Sequence, residues 1–265
     1  MNDEIVHCEA GVTLLGGGIA SATDVAISLT IAPVLVAADG GGDRALALGL
    51  TPAAVIGDMD SLSAAGRAAL AGRLHPVGEQ DSTDFGKCLR HVAARFYLCL
   101  GFTGLRLDHT LAALTELTSR PDQIVILIAE DEVIFRAPPR LCLDLPVGTR
   151  VSLHPMGPAS GRSTGLRWPI DGLAFAPETR TGTSNEAVGP VEVQIDDGAW
   201  QPATLATAIS SDTWVQWSLP WDATAGTHTI RCRATSATGE TQTQQRAAPA
   251  PDGATGWDEL TLTVA

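Results

Sequence analysis

Positive charge is scarce in this sequence. Lysine and arginine together number 17 against 30 aspartates and glutamates, the formal net charge is −13, and Lys87 is the single lysine. A surface so short of cations would repel a phosphate backbone, which argues against a nucleic-acid partner. We therefore expect that an anionic substrate would be bound with the help of a metal ion.

Cysteine pairs and long apolar runs are also missing. The five cysteines are scattered with no Cys-x-x-Cys pair, so we predict neither a zinc site nor a disulfide framework, and interpret the thiols as small buried hydrophobes. The most apolar run, Ile124 to Ala129, is too short to cross a bilayer, and no basic stretch precedes an apolar run after Met1. We expect no membrane contact and a cytoplasmic location.

The first half of the chain has the pattern of a βαβ series. Short apolar runs alternate with stretches of helical spacing, which predicts a Rossmann-like α/β domain over residues 1–131, with a mostly parallel sheet and helices on both faces. The predicted strands are 12–15, 34–38, 53–56, 97–100 and 124–129. The predicted helices are 63–71, 84–96 and 109–119.

The second half has a different texture. After about residue 132, β-type runs are punctuated by Pro, Gly and Thr, and helical spacing stops. We predict a β domain over residues 132–192, followed by a β-sandwich extension over residues 193–265 that either completes that domain or follows it.

Four acidic motifs, read as strand-end motifs, stand out in the first half. They are Ala38-Asp39-Gly40-Gly41, Gly57-Asp58-Met59-Asp60-Ser61, Gln80-Asp81-Ser82-Thr83-Asp84 and Gly104-Leu105-Arg106-Leu107-Asp108-His109. Ligands of open α/β sheets bind at the carboxyl ends of the strands, and Mg²⁺ prefers carboxylates together with substrate phosphate oxygens. So many carboxylates on one rim would repel each other without a cation. The pattern predicts a Mg²⁺–polyphosphate site, although any one Asp-Gly pair is an ordinary turn.

Other residues near these motifs leave alternatives open. Lys87 and Arg106 could meet the phosphate charge that the metal leaves. The run Gly16 to Gly18 matches neither the P-loop nor the full dinucleotide fingerprint, so ligand contact there stays undecided. His109 is either a base or the first residue of a helix, where it would satisfy a backbone group.

The acidic motifs, in this order and spacing, resemble those of thiamine pyrophosphokinases. The segments Thr164-Gly-Leu-Arg-Trp168-Pro and Gly182-Thr-Ser-Asn185-Glu extend the resemblance, which covers about residues 12–192. It implies an enzyme that uses Mg²⁺ to transfer pyrophosphate from ATP to the thiamine hydroxyl, giving thiamine diphosphate and AMP. It also implies a homodimer.

The resemblance assigns roles by motif position. It implies that three aspartates hold Mg²⁺ and are catalytic together with two further residues: Asp58, Asp60 and Asp84, then Arg106 and Asp108. Around the nucleotide and polyphosphate it places Asp39, Gly40, Thr83, Lys87 and His109. For thiamine, at a dimer interface, it gives Trp168, Ser184 and Asn185. The alternatives are a core tryptophan at 168 and an ordinary turn at 184–185.

The sequence departs from the family after Gly189, where that β domain would normally soon end. The remainder resembles the immunoglobulin-like dimerisation domain of sulfite-oxidase-type molybdenum enzymes, without the part that carries their cofactor. If Val191 to Ile195 forms the last strand of the thiamine-side domain, that domain is complete; otherwise it keeps an unpaired edge. Two alternative functions follow: a non-catalytic dimerising or binding protein whose thiamine site the fusion disrupts, and a component of a molybdenum oxidoreductase.

Overall fold

The chain folds as two compact units, 1–141 and 142–265. The computed structural model describes residues 4–206, 215–236, 240–246 and 256–265. No helix in these described ranges is long and apolar enough to span a membrane.

Unit 1 is built on a seven-stranded sheet of order β4-β3-β2-β1-β5-β6-β7, in which only the β6–β7 pair is antiparallel. Its strands are β1 (Val6–Leu15), β2 (Val34–Ala38), β3 (Ala54–Gly57), β4 (Leu74–Pro76), β5 (Val92–Leu100), β6 (Val125–Ile128) and β7 (Val133–Phe135). Its helices are α1 (Ala22–Ile31), α2 (Gly41–Ala47), α3 (Ala64–Ala69), α4 (Asp84–His91) and α5 (Leu107–Ser119), with a 3₁₀ turn at Ala71–Arg73.

Helices cover both faces of this sheet, as predicted. Neighbouring strand residues point to opposite sides: Leu14 packs in a core with α4 and α5, whereas Leu15 packs in a separate core with α1 and α2. The chain winds outward from β1 to β4, then returns to the other side of β1 as β5. This reversal is a topological switch point, where ligands of such folds usually bind.

The predicted helix 84–96 is wrong over residues 92–96. The helix α4 ends at His91, and residues from Val92 continue as β5. The first half of β1 pairs with this segment, Val6 opposite Val92 and Cys8 opposite Ala94. The long-range pairing overrides the helical spacing of the apolar residues. The structure also adds α1, α2, β4 and β7, which the sequence reading did not include.

Unit 2 consists of short antiparallel sheets and, among its described residues, contains no helix. The strands are β8 (Arg150–Leu153), β9 (Ala159–Ser160), β10 (Ala174–Phe175), β11 (Gly182–Glu186), β12 (Val191–Ile195), β13 (Gln201–Pro202), β14 (Thr204–Leu205), β15 (Trp217–Ser218), β16 (Gly226–Ala234) and β17 (Asp258–Val264). They form a four-stranded sheet of order β13-β12-β16-β17 and three pairs, β9–β10, β8–β11 and β14–β15.

The open question about Val191–Ile195 has a clear outcome. This strand, β12, pairs with β13 and β16 in the four-stranded sheet, while β8 and β11 form a sheet of two strands. Its pairing partners therefore both follow it in the chain, and neither β8 nor β11 pairs with it. The boundary predicted at 192/193 falls inside β12, and the immunoglobulin-like character of the extension stays a prediction, because segments 207–214, 237–239 and 247–255 lie outside the described residues.

The cysteines are all free, as expected, but only Cys88 and Cys99 are buried. Cys142 is exposed, and Cys8 and Cys232 are partly buried. The interpretation as buried small hydrophobes therefore holds for two of the five, both in the sheet-and-helix core of unit 1.

A buried histidine of β16 is hydrogen-bonded to the residue that follows β12. His228 Nδ1 lies 2.6 Å from Asp196 Oδ2, and Nε2 lies 2.8 Å from the Thr224 carbonyl oxygen. Because both ring nitrogens face acceptors, the doubly protonated ring is favoured, and the hydrogen bond to Asp196 is the main cause of a raised His228 pKa. The same bond lowers the pKa of Asp196. The Trp221 ring stands edge-on to the imidazole, 4.7 Å between centroids.

This pair predicts a pH dependence of unit 2. A raised His228 pKa stabilises the fold fully below about pH 6.5, the unfolded value, and the contribution is lost as pH rises through the folded pKa. We expect the melting temperature to fall as the pH rises above 6.5, and to fall much less in His228→Asn. All six tryptophans lie between residues 168 and 257, so tryptophan fluorescence follows unit 2 alone. An equal pH slope in both proteins would contradict the assignment.

Candidate active site

The site begins at the carboxyl ends of two neighbouring parallel strands. β2 and β3 pair with Ala38 opposite Ile56, so Asp39 and Asp58 follow strands that end side by side. The Asp39 N–H donates to the Ile56 carbonyl oxygen at 3.0 Å, which extends the ladder by one residue. The sheet itself therefore brings the first two acidic motifs together.

Three carboxylates meet at this edge. One oxygen each of Asp39, Asp58 and Asp60 lies within 4.8 Å of the others, with Asp39 buried, Asp58 partly buried and Asp60 exposed. Such a group of hard oxygen donors suits a divalent cation such as Mg²⁺.

Asp39 is the most constrained member. Its backbone is left-handed, with φ of 40°, which is uncommon for a residue other than glycine. Oδ2 accepts from the Ser61 N–H at 3.0 Å, whereas Oδ1 is buried without a hydrogen-bond partner. Burial raises the pKa of this carboxyl, and the negative charges of Asp84 and Asp58 raise it further, whereas the hydrogen bond from Ser61 lowers it. A bound cation would supply what Oδ1 lacks.

The loop after β3 is fixed by Met59. This residue also has a left-handed backbone, with φ of 70°, and its side chain is buried against Leu62 and Leu70. Arg67 donates to the Met59 carbonyl oxygen. With Met59 anchored in the core, the flanking Asp58 and Asp60 are held at the edge of the sheet.

Asp58 receives hydrogen bonds on both oxygens. Gln80 Nε2 donates to Oδ2 at 3.1 Å, and the Asp60 N–H donates to Oδ1 at 3.2 Å. These two bonds, with the nearby Lys87 ammonium, lower the pKa of Asp58. The carboxylate is thus kept ionised, as a metal ligand must be.

Lys87 is buried instead of facing open solvent. Its side chain is 2% exposed, and its Nζ lies 2.9 Å from Asp84 Oδ1 and 3.6 Å from Asp58 Oδ2. Burial alone would lower the pKa of this ammonium, but the hydrogen bond and attraction to Asp84, with the charge of Asp58, raise it. Lys87 therefore acts as an internal counter-ion for the acidic group.

Gly57 lets these carboxylates approach each other. A Cβ atom at this position would lie 2.8 Å from Asp39 Cβ and 3.0 Å from Asp84 Oδ1. Any side chain at 57 would push Asp39 and Asp84 apart. Asp84 thus lies beside the group of three and is hydrogen-bonded to Lys87.

Thr83 and Gly40 have structural roles in this arrangement. Thr83 caps α4, since its hydroxyl oxygen accepts from the Gly86 N–H at 3.1 Å. A Cβ on Gly40 would lie 3.3 Å from Ser61 Cβ, so this glycine allows the loops after β2 and β3 to pack closely. Their expected nucleotide contacts stay predictions.

The last acidic motif lies apart from the others. Arg106 and Asp108 form an ion pair with each other and are 68% and 63% exposed. Among the described residues, no hydrogen bond or ion pair joins them to the carboxylates above. The sequence predicted that His109 is the first residue of a helix, but α5 begins at Leu107, so His109 is its third residue. The His109 side chain is exposed. In this conformation, the structure does not bring these three residues into the site.

The glycine run after β1 has a packing function. A Cβ on Gly16 or Gly18 would lie 2.5 or 2.6 Å from the Gly101 carbonyl oxygen. The loops that follow β1 and β5 therefore meet at the switch point through backbone contact. The question of ligand contact at Gly16 to Gly18 stays open.

The residues predicted for thiamine lie in unit 2. Asn185 is buried, its Nδ2 donates to the Trp168 carbonyl oxygen at 2.7 Å, and its Oδ1 accepts from the Trp168 N–H at 3.1 Å. Both ends of the amide are thus used to hold Trp168, whose side chain is 44% exposed beneath the Arg167 guanidinium at 5.2 Å. Ser184 is exposed, with a left-handed backbone. Asn185 therefore holds the backbone of Trp168 in place, while the indole of Trp168 keeps an accessible surface for a ligand.

Sequence reasoning missed two contributors to the site. Gln80 is the first residue of the third acidic motif, but an amide there has no metal or acid–base signature of its own. Met59 lies between two aspartates, where an anchor in the core cannot be distinguished from a loop residue without knowing its backbone angles. A large apolar side chain inside an Asp-x-Asp pair was the one available signal.

The counter-ion role of Lys87 predicts a stability effect. Lys87→Met would leave Asp58 and Asp84 without their cation, so we expect the free energy of unfolding of the metal-free protein to fall by about 1–2 kcal/mol, because the carboxylates keep some solvent. Urea unfolding followed by circular dichroism measures it. Arg106→Met, which breaks the exposed pair with Asp108, is the control and should cost less than about 0.5 kcal/mol. Equal effects would refute the counter-ion role.

The segment that contains all four acidic motifs is similar to a known family. Residues 27–128 match the family described as "Thiamin pyrophosphokinase, catalytic domain". This is less than half of the chain and lies within unit 1. No curated protein matches the sequence.

Solved structures give a likeness of fold. The thiamin pyrophosphokinase of yeast superimposes with a TM-score of 0.56 at 18% identity, over 70% of this chain and 82% of that one. The thiamine pyrophosphokinase of Bacillus subtilis has a TM-score of 0.55 at 19% identity, over 67% of this chain and 89% of that one. For that of Geobacillus thermodenitrificans, the TM-score is 0.52 at 22% identity, over 67% of this chain and 88% of that one. By sequence over 27–128, and by fold over about two thirds of its length, the chain is thus similar to thiamin pyrophosphokinases.

Proposed function

We propose that this protein is a Mg²⁺-dependent thiamine pyrophosphokinase, which transfers the pyrophosphoryl group of ATP to the hydroxyl of thiamine. The observation that carries the proposal is the group Asp39, Asp58 and Asp60, in which a buried carboxylate oxygen lacks a partner. The match of residues 27–128 to the catalytic domain of that family supports it.

The residues present fit a divalent cation. Mg²⁺ would be held by Asp39, Asp58 and Asp60. Asp84 lies beside them and forms an ion pair with Lys87. The resemblance alone placed Asp84 in the ligand set and Asp39 near the nucleotide; the geometry favours Asp39 as a ligand. When bound, Mg²⁺ would neutralise polyphosphate charge, which the carboxylates at this edge of the sheet would otherwise repel.

The reaction is a direct displacement. The hydroxyl oxygen of thiamine attacks the β-phosphorus of ATP, the bond from that phosphorus to the α–β bridging oxygen breaks, and AMP leaves with the electron pair while the hydroxyl proton is released. Catalysis of phosphoryl transfer depends mainly on positioning and charge neutralisation. The chain contributes an ionised Asp58, a buried Asp39 and an internal cation at Lys87.

We assign Trp168 to thiamine. A flat cationic heterocycle can stack on an indole face, and the exposed ring of Trp168 offers one. Asn185 holds the backbone of Trp168 on both sides and so acts as a positioning residue. The homodimer in which such a tryptophan would face a partner's acidic site is part of the same proposal.

The first test is release of AMP from ATP by the purified protein with Mg²⁺ and thiamine. We expect AMP only when both are present, and at least about a hundredfold less in Asp58→Asn, because a metal ligand is lost. Asp122→Asn is the matched control: this aspartate is exposed and precedes β6, at the amino end of a strand. It should keep full activity.

Two results would contradict the proposal. Near-normal activity in Asp58→Asn would remove the metal assignment. Folded wild-type protein that releases no AMP would instead favour the non-catalytic dimerising or binding protein whose thiamine site is disrupted, and thiamine should then leave the melting temperature unchanged.

The thiamine assignment has its own prediction. Trp168→Ala should raise the KM for thiamine by about tenfold, because a stacking and cation–π contact is lost, and should change the KM for ATP little. Trp217→Ala removes another exposed indole of unit 2, 38% accessible, and serves as the control. If both variants behave alike in steady-state kinetics, Trp168 does not bind thiamine.

A further inference from the structure

We propose that Gln80 is a positioning residue for the acidic group, holding the Asp58 carboxylate in the orientation that binds a divalent cation. The inference rests on the proposed function for its activity assay, but not for its metal-binding assay. It starts from the hydrogen bond of 3.1 Å between Gln80 Nε2 and Asp58 Oδ2, across 22 positions of sequence.

The segment that carries Gln80 is anchored at both ends. At its start, the Val77 N–H donates to the Gly57 carbonyl oxygen at 2.7 Å, which ties it to the end of β3. Further along, Glu79 forms an ion pair with Arg90 of α4 and accepts from the Ser82 hydroxyl and the Asp81 N–H. On a free loop, water would compete with Asp58 for the hydrogen bond of an exposed glutamine. Gln80 instead lies on a segment that is tied to both β3 and α4.

Gln80 fixes the oxygen of Asp58 that the backbone does not reach, because the Asp60 N–H donates to Oδ1 at 3.2 Å and leaves Oδ2 to Gln80. Lys87 is closer to Asp84, at 2.9 Å, than to Asp58, at 3.6 Å. Asp39 and Asp60, within 4.8 Å, repel the Asp58 charge and favour rotation away from the group.

The neutrality of the amide matters for metal binding. A second ammonium or guanidinium in this place would also hold Asp58, but would repel the cation that the carboxylates are to bind. An amide donates a hydrogen bond without adding charge. Gln80 therefore orients the ligand and leaves the negative charge of the site intact, as the partners of metal ligands commonly do.

The test uses Mn²⁺ in place of Mg²⁺, with free Mn²⁺ measured by electron paramagnetic resonance on the full chain. We expect Gln80→Ala to raise the Kd for Mn²⁺ roughly tenfold. Gln80→Asn, which keeps the amide but is one methylene too short, should behave in the same way. Asp81→Asn is the control on the same segment, where the contacts above use only its backbone, and should stay within about twofold of wild type.

A second readout separates positioning from general damage. In the AMP assay, the Mg²⁺ concentration for half-maximal rate should rise by about the same factor in Gln80→Ala, while kcat at saturating Mg²⁺ should stay within about twofold of wild type. A fold defect would instead lower kcat at every Mg²⁺ concentration. An unchanged Kd for Mn²⁺ in both Gln80 variants, or a loss of kcat that Mg²⁺ cannot restore, would overturn the inference.

The failure of each proposal would look different. If the wild type binds Mn²⁺, Asp58→Asn does not, and no AMP forms, the proposed reaction is wrong, yet the Kd values of the Gln80 variants still decide the positioning role. If AMP forms and the Gln80 variants match the wild type in both readouts, only the positioning role is wrong.

Discussion

Electrostatic repulsion is the constraint on which the site depends. Parallel pairing of β2 and β3 places Asp39 and Asp58 at one edge, and Asp60 and Asp84 join them. Like charges this close must be compensated or protonated. One buried ammonium, Lys87, compensates part of the charge, and the buried oxygen of Asp39 is left without a partner. The fold thus assembles a site with excess negative charge, which makes it receptive to a cation.

The sequence was informative where local pattern and global fold agree. The strands at 34–38 and around 12–15 follow from compact apolar runs, and the acidic motifs at their ends follow from the position of ligands in α/β sheets. It failed at residues 92–96, where the apolar spacing continues that of α4. Only the long-range pairing with the first half of β1 shows that this segment is a strand. Such pairing leaves no local trace in the sequence.

Within the site, residue types were easier to predict than their roles. An acidic group was expected. Whether Lys87 faces solvent or the core depends on how α4 packs, and the sequence does not show that this lysine is buried together with Phe85 and Cys88 of the same helix. Asn185 was expected at a ligand, yet its amide is occupied by the Trp168 backbone. The first α/β unit matches a known catalytic domain, whereas the four-stranded sheet that begins at β12 is additional to what the family pattern predicted.

The burial of Lys87 has a consequence for the chemistry of the whole surface. This sequence has no other lysine, so acetyl transfer, ubiquitin attachment at side chains and amine-directed cross-linkers find no accessible lysine in the folded protein. A covalent label on Lys87 would require that α4 separate from the end of β3. The same residue that compensates the carboxylates therefore also makes the folded molecule resistant to lysine modification, and makes its reactivity a direct report of opening at the site.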